Sequence, residues 1–295
     1  MFRNLRVKRQ PEKIVPDPGG ISIEQLARDS SIPVSLHQIN RLPDNAKHRV
    51  YRSLFPPALL ARYGIDPISW KGKDGALRVQ VKAEPENGIV KLGVEKDPGS
   101  QDQFICLELA DNMMNGIDLN LILLNNPDSQ RYQVDFDETG QPTYFGTVRR
   151  NLAEEQLAMR AGLAPGQVRA SLGASRQMLE QLEVFLSTLG HRAYFLEPLT
   201  YASAWVFERR GFAYVRGHKL MDDIHKEFQP GGRLFQALDG SSPFRQAEQR
   251  QSVRGRAWAI QDGILEAIGA RWDGLRMVKQ LGRHAGVETF PGGIY

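Results

Sequence analysis

Residues 173–216 read GASRQMLEQLEVFLSTLGHRAYFLEPLTYASAWVFERRGFAYVR. Met178, Leu182, Phe185, Leu186 and Leu189 fall on one helical stripe, and Gly190 stops it in the manner of a helix C-terminus. Ala193-Tyr194-Phe195-Leu196 follows as a short apolar run of strand length. A second helix is expected from about Tyr201 to Arg210, with Gly211 ending it and a strand from Phe212 to Val215. Glycine there supplies the left-handed conformation that lets the chain turn at once. Helix, strand, helix and strand in this order call for an α+β layout in which helices pack on a sheet.

Upstream, the period changes from helical to alternating at about Ala76. Leu77, Val79 and Val81 alternate with polar residues, Val90, Leu92 and Val94 do the same, and Pro85-Glu86-Asn87-Gly88 lies between. Asn-Gly between two such runs marks a hairpin, because both residues tolerate positive φ. Further strands are expected at 103–109, 117–125, 131–136 and 143–148, an antiparallel meander of up to six. Before the meander, residues 1–40 are broken by Pro11, Pro16, Pro18, Gly19 and Gly20, with a short helical piece at Ile23–Ala27. Helices are expected from Asp44 to Phe55 and from the Pro56-Pro57 pair through Tyr63. Downstream, helices are expected at Asn151–Ala161 and over 218–228, 244–250, 252–268 and 273–283. Three segments result: a basic N-terminal arm with short helices (1–72), an α/β core (73–217) and a C-terminal helical extension packed on it (218–295).

The chain has 295 residues and a net charge of +4, with 41% hydrophobic and 24% charged residues. That composition excludes wholesale disorder, a collagen-like repeat and a disulfide scaffold. One cysteine, Cys106, sits in the apolar run Phe104–Leu107 and reads as a buried core thiol. The N-terminus lacks the apolar stretch of a secretion signal, and no run approaches the ~20 apolar residues of a membrane span. A cytoplasmic protein without a membrane partner is expected. Residues 1–72 carry 12 Lys/Arg against 6 Asp/Glu, leaving 26 against 28 for the rest. Five of these basic residues fall in the first thirteen positions, where Phe2 is the only aromatic, so a solvated tail is favoured over a nucleic-acid arm.

The stretch from Gly173 to Arg216, ending in Phe207-Glu208-Arg209-Arg210-Gly211-Phe212, resembles the second half of the fold of the GNAT superfamily of N-acetyltransferases. The ending matches the aromatic-Glu-basic-x-Gly-Phe signature, and the antiparallel strands upstream suit the same fold. The resemblance implies a GNAT-like, mainly antiparallel sheet and a coenzyme-A-dependent acyltransferase. Acetyl-CoA or another acyl-CoA would be the donor, and a small-molecule or protein amine the acceptor. It further implies that the backbone at the start of the long helix binds the pyrophosphate, which the unpaired N–H groups of a helix N-terminus suit. Arg169, Gly173, Ala174, Ser175 and, at the asparagine position before the second helix, Thr200 are the cofactor residues so implied.

The family pattern Gln/Arg-x-x-Gly-x-Gly/Ala fits in two frames. From Arg169 to Ala174 the ends match while Leu172 takes the inner glycine position; from Ala170, Gly173 and Ser175 match and the basic residue is lost. The residues alone favour, by a small margin, one helix from Gly166 to Leu189, started by Pro165, with no anion site at all. Phe207 stands where many members carry a proton-donating tyrosine, and Tyr201 and Tyr214 are its neighbours in sequence. Glu108 and Glu197 are candidate bases or solvent-facing charges, so the catalytic residues stay unknown. A non-catalytic relative that binds a ligand or partner in the sheet cleft is the alternative.

No metal is expected. His218, Asp222 and His225 share a helical face, which an exposed polar face explains, and the calcium-like run from Asp135 has Gly146 at its twelfth position. Met113 and Met114 lie in a turn, either plugging the end of the sheet or meeting an apolar ligand. The chain has no Gly-x-Ser-x-Gly, phosphate-loop Gly-Lys-Ser/Thr or His-Glu-x-x-His. Val253, Ala257, Ile260, Ile264 and Ile268 form a stripe that must be covered; packing on the main body is favoured, and a homodimer is left open.

Overall fold

The alternating runs become strands whose apolar residues line up across a sheet. β1 (Val79–Lys82), β2 (Ile89–Glu95), β3 (Gln103–Asp111) and β4 (Ile117–Leu124) form an antiparallel meander. Its register places Val81, Leu92, Leu107 and Ile122 in one row and Val79, Val94, Ile105 and Leu124 in the next. Both rows enter the same hydrophobic core. The protein is seen here as a computed structural model that describes residues 33–100, 102–144 and 149–295.

β5 (Ala193–Leu196) joins the meander parallel to β4, and β7 (Arg276–Gln280) runs antiparallel between β5 and β6 (Ala213–Arg216). The order is β1-β2-β3-β4-β5-β7-β6, a seven-stranded, mostly antiparallel open sheet among the described residues. With the helices packed on it, the architecture is α+β.

The helices are α1 (Leu36–Asn40), α2 (Asp44–Arg52), α3 (Pro57–Arg62), α4 (Leu152–Arg160), α5 (Ser175–Thr188), α6 (Tyr201–Arg209), α7 (His218–Glu227), α8 (Arg233–Gln236) and α9 (Val253–Gln261). The α5 stripe from Met178 to Leu189 is buried as its spacing requires, and Phe185 meets Tyr51 of α2 at 6.4 Å between ring centres. Asp111, at the end of β3, ties the first helix to the sheet. Its two carboxylate oxygens accept the N–H groups of Leu36 and His37, both at 2.8 Å, while Ser35 and Gln38 close a capping box. A second, smaller core gathers Val134, Ala158, Leu163, Phe244 and Trp258. Cys106 is buried in β3, and burial pushes its thiol up.

Several elements differ from expectation. Within the 273–283 stretch, expected as a helix, Arg276–Gln280 form strand β7, so the 218–295 extension also supplies a strand to the sheet. Leu275, Val278 and Leu281 share a helical spacing, yet pairing with β5 and β6 satisfies this backbone from both sides. Residues 131–136 form no strand. Arg131 instead bonds Asp102 at 2.9 Å and Asp135 at 2.7 Å, and the Tyr132 N–H donates to the Val168 carbonyl. The 252–268 helix breaks at Gly263 (φ +83°) into a 3-10 turn over Ile264–Ile268, and 244–250 reduces to a 3-10 turn over Ala247–Gln251. The stripe of Val253, Ala257, Ile260 and Ile264 is buried in the main core, with α9 packed on α6. The Ile23–Ala27 helix, residues 1–32 of the N-terminal arm and positions 145–148 of the last meander strand lie outside the described residues.

Gly211 has φ +84°, and a Cβ there would stand 2.8 Å from the His284 Cα. The tight turn into β6 and the close approach of a second backbone both require glycine. Gly211→Ala is expected to cost about 2 kcal/mol from the left-handed conformation and the collision. Urea unfolding measures this, and a loss under about 0.5 kcal/mol contradicts the placement.

Candidate functional site

The chain between α4 and α5 fixes where an anion can sit. The Leu172 N–H donates to the Leu124 carbonyl, the Asn126 N–H donates to the Ala170 carbonyl, and Asn125 bridges Ser171. These bonds hold the loop against the end of β4. Gly173 then takes φ +73°, and α5 starts at Ser175 with Ala174 as an N-cap that offers no side-chain acceptor. The unbroken 166–189 helix therefore does not form, because the left-handed glycine and the bridge to β4 break it. The backbone N–H groups of Ser175, Arg176 and Gln177 have no acceptor among the described residues. Unpaired first-turn donors carry the positive end of the helix dipole.

Two arginines add to that charge. Arg210 reaches from the end of α6 and donates from Nη2 to the Ser175 Oγ at 2.9 Å, while its buried Nε has no partner among the described residues. Burial and the neighbouring Arg176 lower the Arg210 guanidinium below its ordinary range, with Glu180 acting the other way. A Cβ on Gly173 would meet nothing within 4 Å, so the space in front of this loop is open.

Beside the loop the parallel strand pair separates. β4 and β5 pair at Ile117 with Tyr194, Asp118 with Phe195 and Leu119 with Leu196. Beyond these, β4 has no strand partner on that edge among the described residues until Asn125 bridges Ser171. Since the Leu124 carbonyl points to this edge, the two-residue period of a strand puts the N–H and C=O of Ile122 there as well. The site is thus a gap in the sheet with exposed backbone donors and acceptors, leading to a helix N-terminus flanked by two arginines.

Neither a protein-family model nor a curated protein nor a solved structure gives a significant match to this chain.

Gly173, Ala174 and Ser175 lie together at this helix start. Arg169 does not reach it here: its guanidinium bonds Asp102 at 3.0 Å and also the Ser129 carbonyl. Thr200 caps α6, its hydroxyl accepting the Ser203 N–H at 3.1 Å. Phe207 packs on Phe212 with ring centres 5.1 Å apart. Glu197 pairs with Arg276 at 3.3 Å, and Glu108 accepts from Asn120 at 3.3 Å. Tyr214 donates to Glu208 at 2.6 Å, and burial holds its hydroxyl above the ordinary range. Tyr201 is likewise buried and raised, with Arg256 opposing.

The His218–Asp222–His225 trio does not converge. His218 stacks on Tyr214 and lies 3.8 Å from Asp222, whereas His225 turns toward Arg256. No cluster of three His, Cys, Asp or Glu groups able to hold a metal occurs among the described residues. No helix among them is long and apolar enough to cross a membrane. Asp137 accepts from Thr139 and Gln141 within its own turn, and Met113 and Met114 project into solvent rather than plugging the sheet. Sequence reading missed Arg210 as a neighbour of the helix start. Its place in the run before Gly211 was visible, but a contact 35 positions away was not.

Proposed function

We propose that the chain is a coenzyme-A-dependent N-acyltransferase of GNAT type, taking acetyl-CoA or another acyl-CoA as donor and a small-molecule or protein amine as acceptor. The observation that carries this reading is the fresh start of α5 at Ser175. Three N–H groups without an acceptor among the described residues stand there beside Arg176 and Arg210, at the end of a strand pair that separates. A pyrophosphate suits such a helix start, since the dipole and both guanidinium groups favour negative charge. The open edge of β4 at Ile122 offers one N–H and one C=O to the amide groups of a pantetheine arm. The chemistry is attack of a neutral amine on the thioester carbonyl: a C–N bond forms, the C–S bond breaks, the nitrogen gives up one proton and the departing thiolate takes one up.

The source of that proton favours a second reading. Phe207 has no acidic hydrogen, Tyr214 donates to Glu208, and Tyr201 is buried against Arg256. A relative of the same fold that binds an acyl-CoA-like ligand or a partner without turnover needs no such donor. The two separate by thiol release from acetyl-CoA in the presence of a panel of amines. Amine-dependent release that Gly173→Trp abolishes supports the transferase. Saturable binding with no release above the solution rate supports a ligand-binding relative, and no binding overturns the transferase and leaves only a partner-binding relative.

A further inference from the structure

Arg256 of α9 is only 2% exposed, yet no carboxylate lies within ion-pair distance of it among the described residues. Its guanidinium sits 3.5 Å from the Phe290 ring centre and 5.1 Å from that of Phe228. Nε donates to the Arg250 carbonyl at 2.9 Å; Nη1 lies 3.5 Å from the Tyr201 hydroxyl and 3.3 Å from Nδ1 of His225. A guanidinium only donates, so His225 must present an unprotonated Nδ1 to it. The imidazole lies 5.4 Å from the Phe290 ring, so Phe290 contacts both partners.

Phe290 belongs to a terminal strap, residues 286–295, laid over α6 and α9. Thr289 bonds Glu208 through its N–H and its hydroxyl, the Ile294 carbonyl accepts the Val253 N–H at 2.8 Å, and Tyr295 stacks on Trp205 and under Arg254. We propose that neutral His225, accepting from Arg256, latches this strap, and that protonation of His225 in mild acid opens it. Two cations would then face each other at the Phe290 contact with no anion between them.

The groups around His225 fix the sign. From α9 it faces Arg256; from its own helix, Asp222 and, just beyond the helix, Gln229, whose side-chain nitrogen is 3.4 Å from Nε2; from the strap, uncharged Phe290. Arg250 and Tyr201 act on it through Arg256. Burial and then Arg256 lower the His225 pKa, outweighing Asp222. A histidine depressed in the folded state stabilises fully above its ordinary value of about 6.5, and that stability is lost as pH falls through the folded value.

The test is amide hydrogen exchange at pH 7.5 and pH 5.0, corrected for intrinsic rates, on the full chain and on His225→Asn, whose amide oxygen keeps an acceptor without titrating. Protection of the Thr289 and Val253 amides is expected to fall in acid by about tenfold per pKa unit of depression, and to stay level in the variant. Equal protection at the two pH values in the native chain overturns the latch, as does a fall that persists in His225→Asn. Titration of His225 by NMR in the native chain must follow the same interval as the loss of protection, and a midpoint outside it also overturns the latch.

Discussion

Replacing Glu208 by Ala is expected to lower the unfolding free energy by about 3–5 kcal/mol, the largest single loss foreseen in this protein. Its carboxylate is fully buried and accepts three hydrogen bonds: from the Tyr214 hydroxyl at 2.6 Å, the Thr289 hydroxyl at 2.6 Å and the Thr289 N–H at 3.0 Å. Truncation strands all three donors away from water, each at about 1–3 kcal/mol, and opens a cavity under the strap. A loss of this size corresponds to roughly 10 °C in Tm for a chain this long. Glu208→Gln keeps one acceptor oxygen and is expected to lose about half as much. A loss below about 1 kcal/mol for Glu208→Ala in urea unfolding contradicts the anchor.

The largest effect on binding is expected from Arg210→Ala. The side chain stands at a helix end with one hydrogen bond to Ser175, so its removal costs the fold little, while the proposed anion site loses a guanidinium. Affinity for coenzyme A should fall at least about tenfold, equivalent to roughly 1.4 kcal/mol, and binding to the native protein should weaken as salt is raised. Arg169→Ala provides the contrast. Its guanidinium is engaged with Asp102 and the Ser129 carbonyl, so the expected result is lower stability with affinity nearly unchanged. An affinity loss matching that of Arg210→Ala would mean that Arg169 leaves Asp102 for the ligand. An unchanged affinity in Arg210→Ala would remove this arginine from the site.

Local signals carried most of the sheet and the long helix. Asn87-Gly88 between alternating runs gave the first hairpin, the Met178-to-Leu189 stripe gave the buried face of α5, and Gly211 gave the turn into β6. β7 escaped because only distant partners define it: Phe195 pairs with Val278 and Tyr214 with Met277, contacts 83 and 63 positions apart. Within Arg276–Gln280 the alternation is too short to outweigh a competing helical spacing. The 131–136 stretch went the other way, since a single arginine bonding Asp102 and Asp135 satisfied it outside the sheet. At the candidate site, the sequence allowed both a broken and a continuous helix, and the bridge from Ser171 to Asn125 decided between them. The neighbours of Arg169 and Arg210, 67 and 35 positions away, were set by the fold alone.

The most direct measurement is calorimetric titration of the native protein and of Gly173→Trp with coenzyme A and with acetyl-CoA. A side chain at 173 has open space before it, so the indole would fill the approach to the helix start. The predicted result is micromolar binding of both ligands by the native chain and none by the variant. No heat at high ligand concentration, together with no thermal shift of the native chain, would contradict the proposed site.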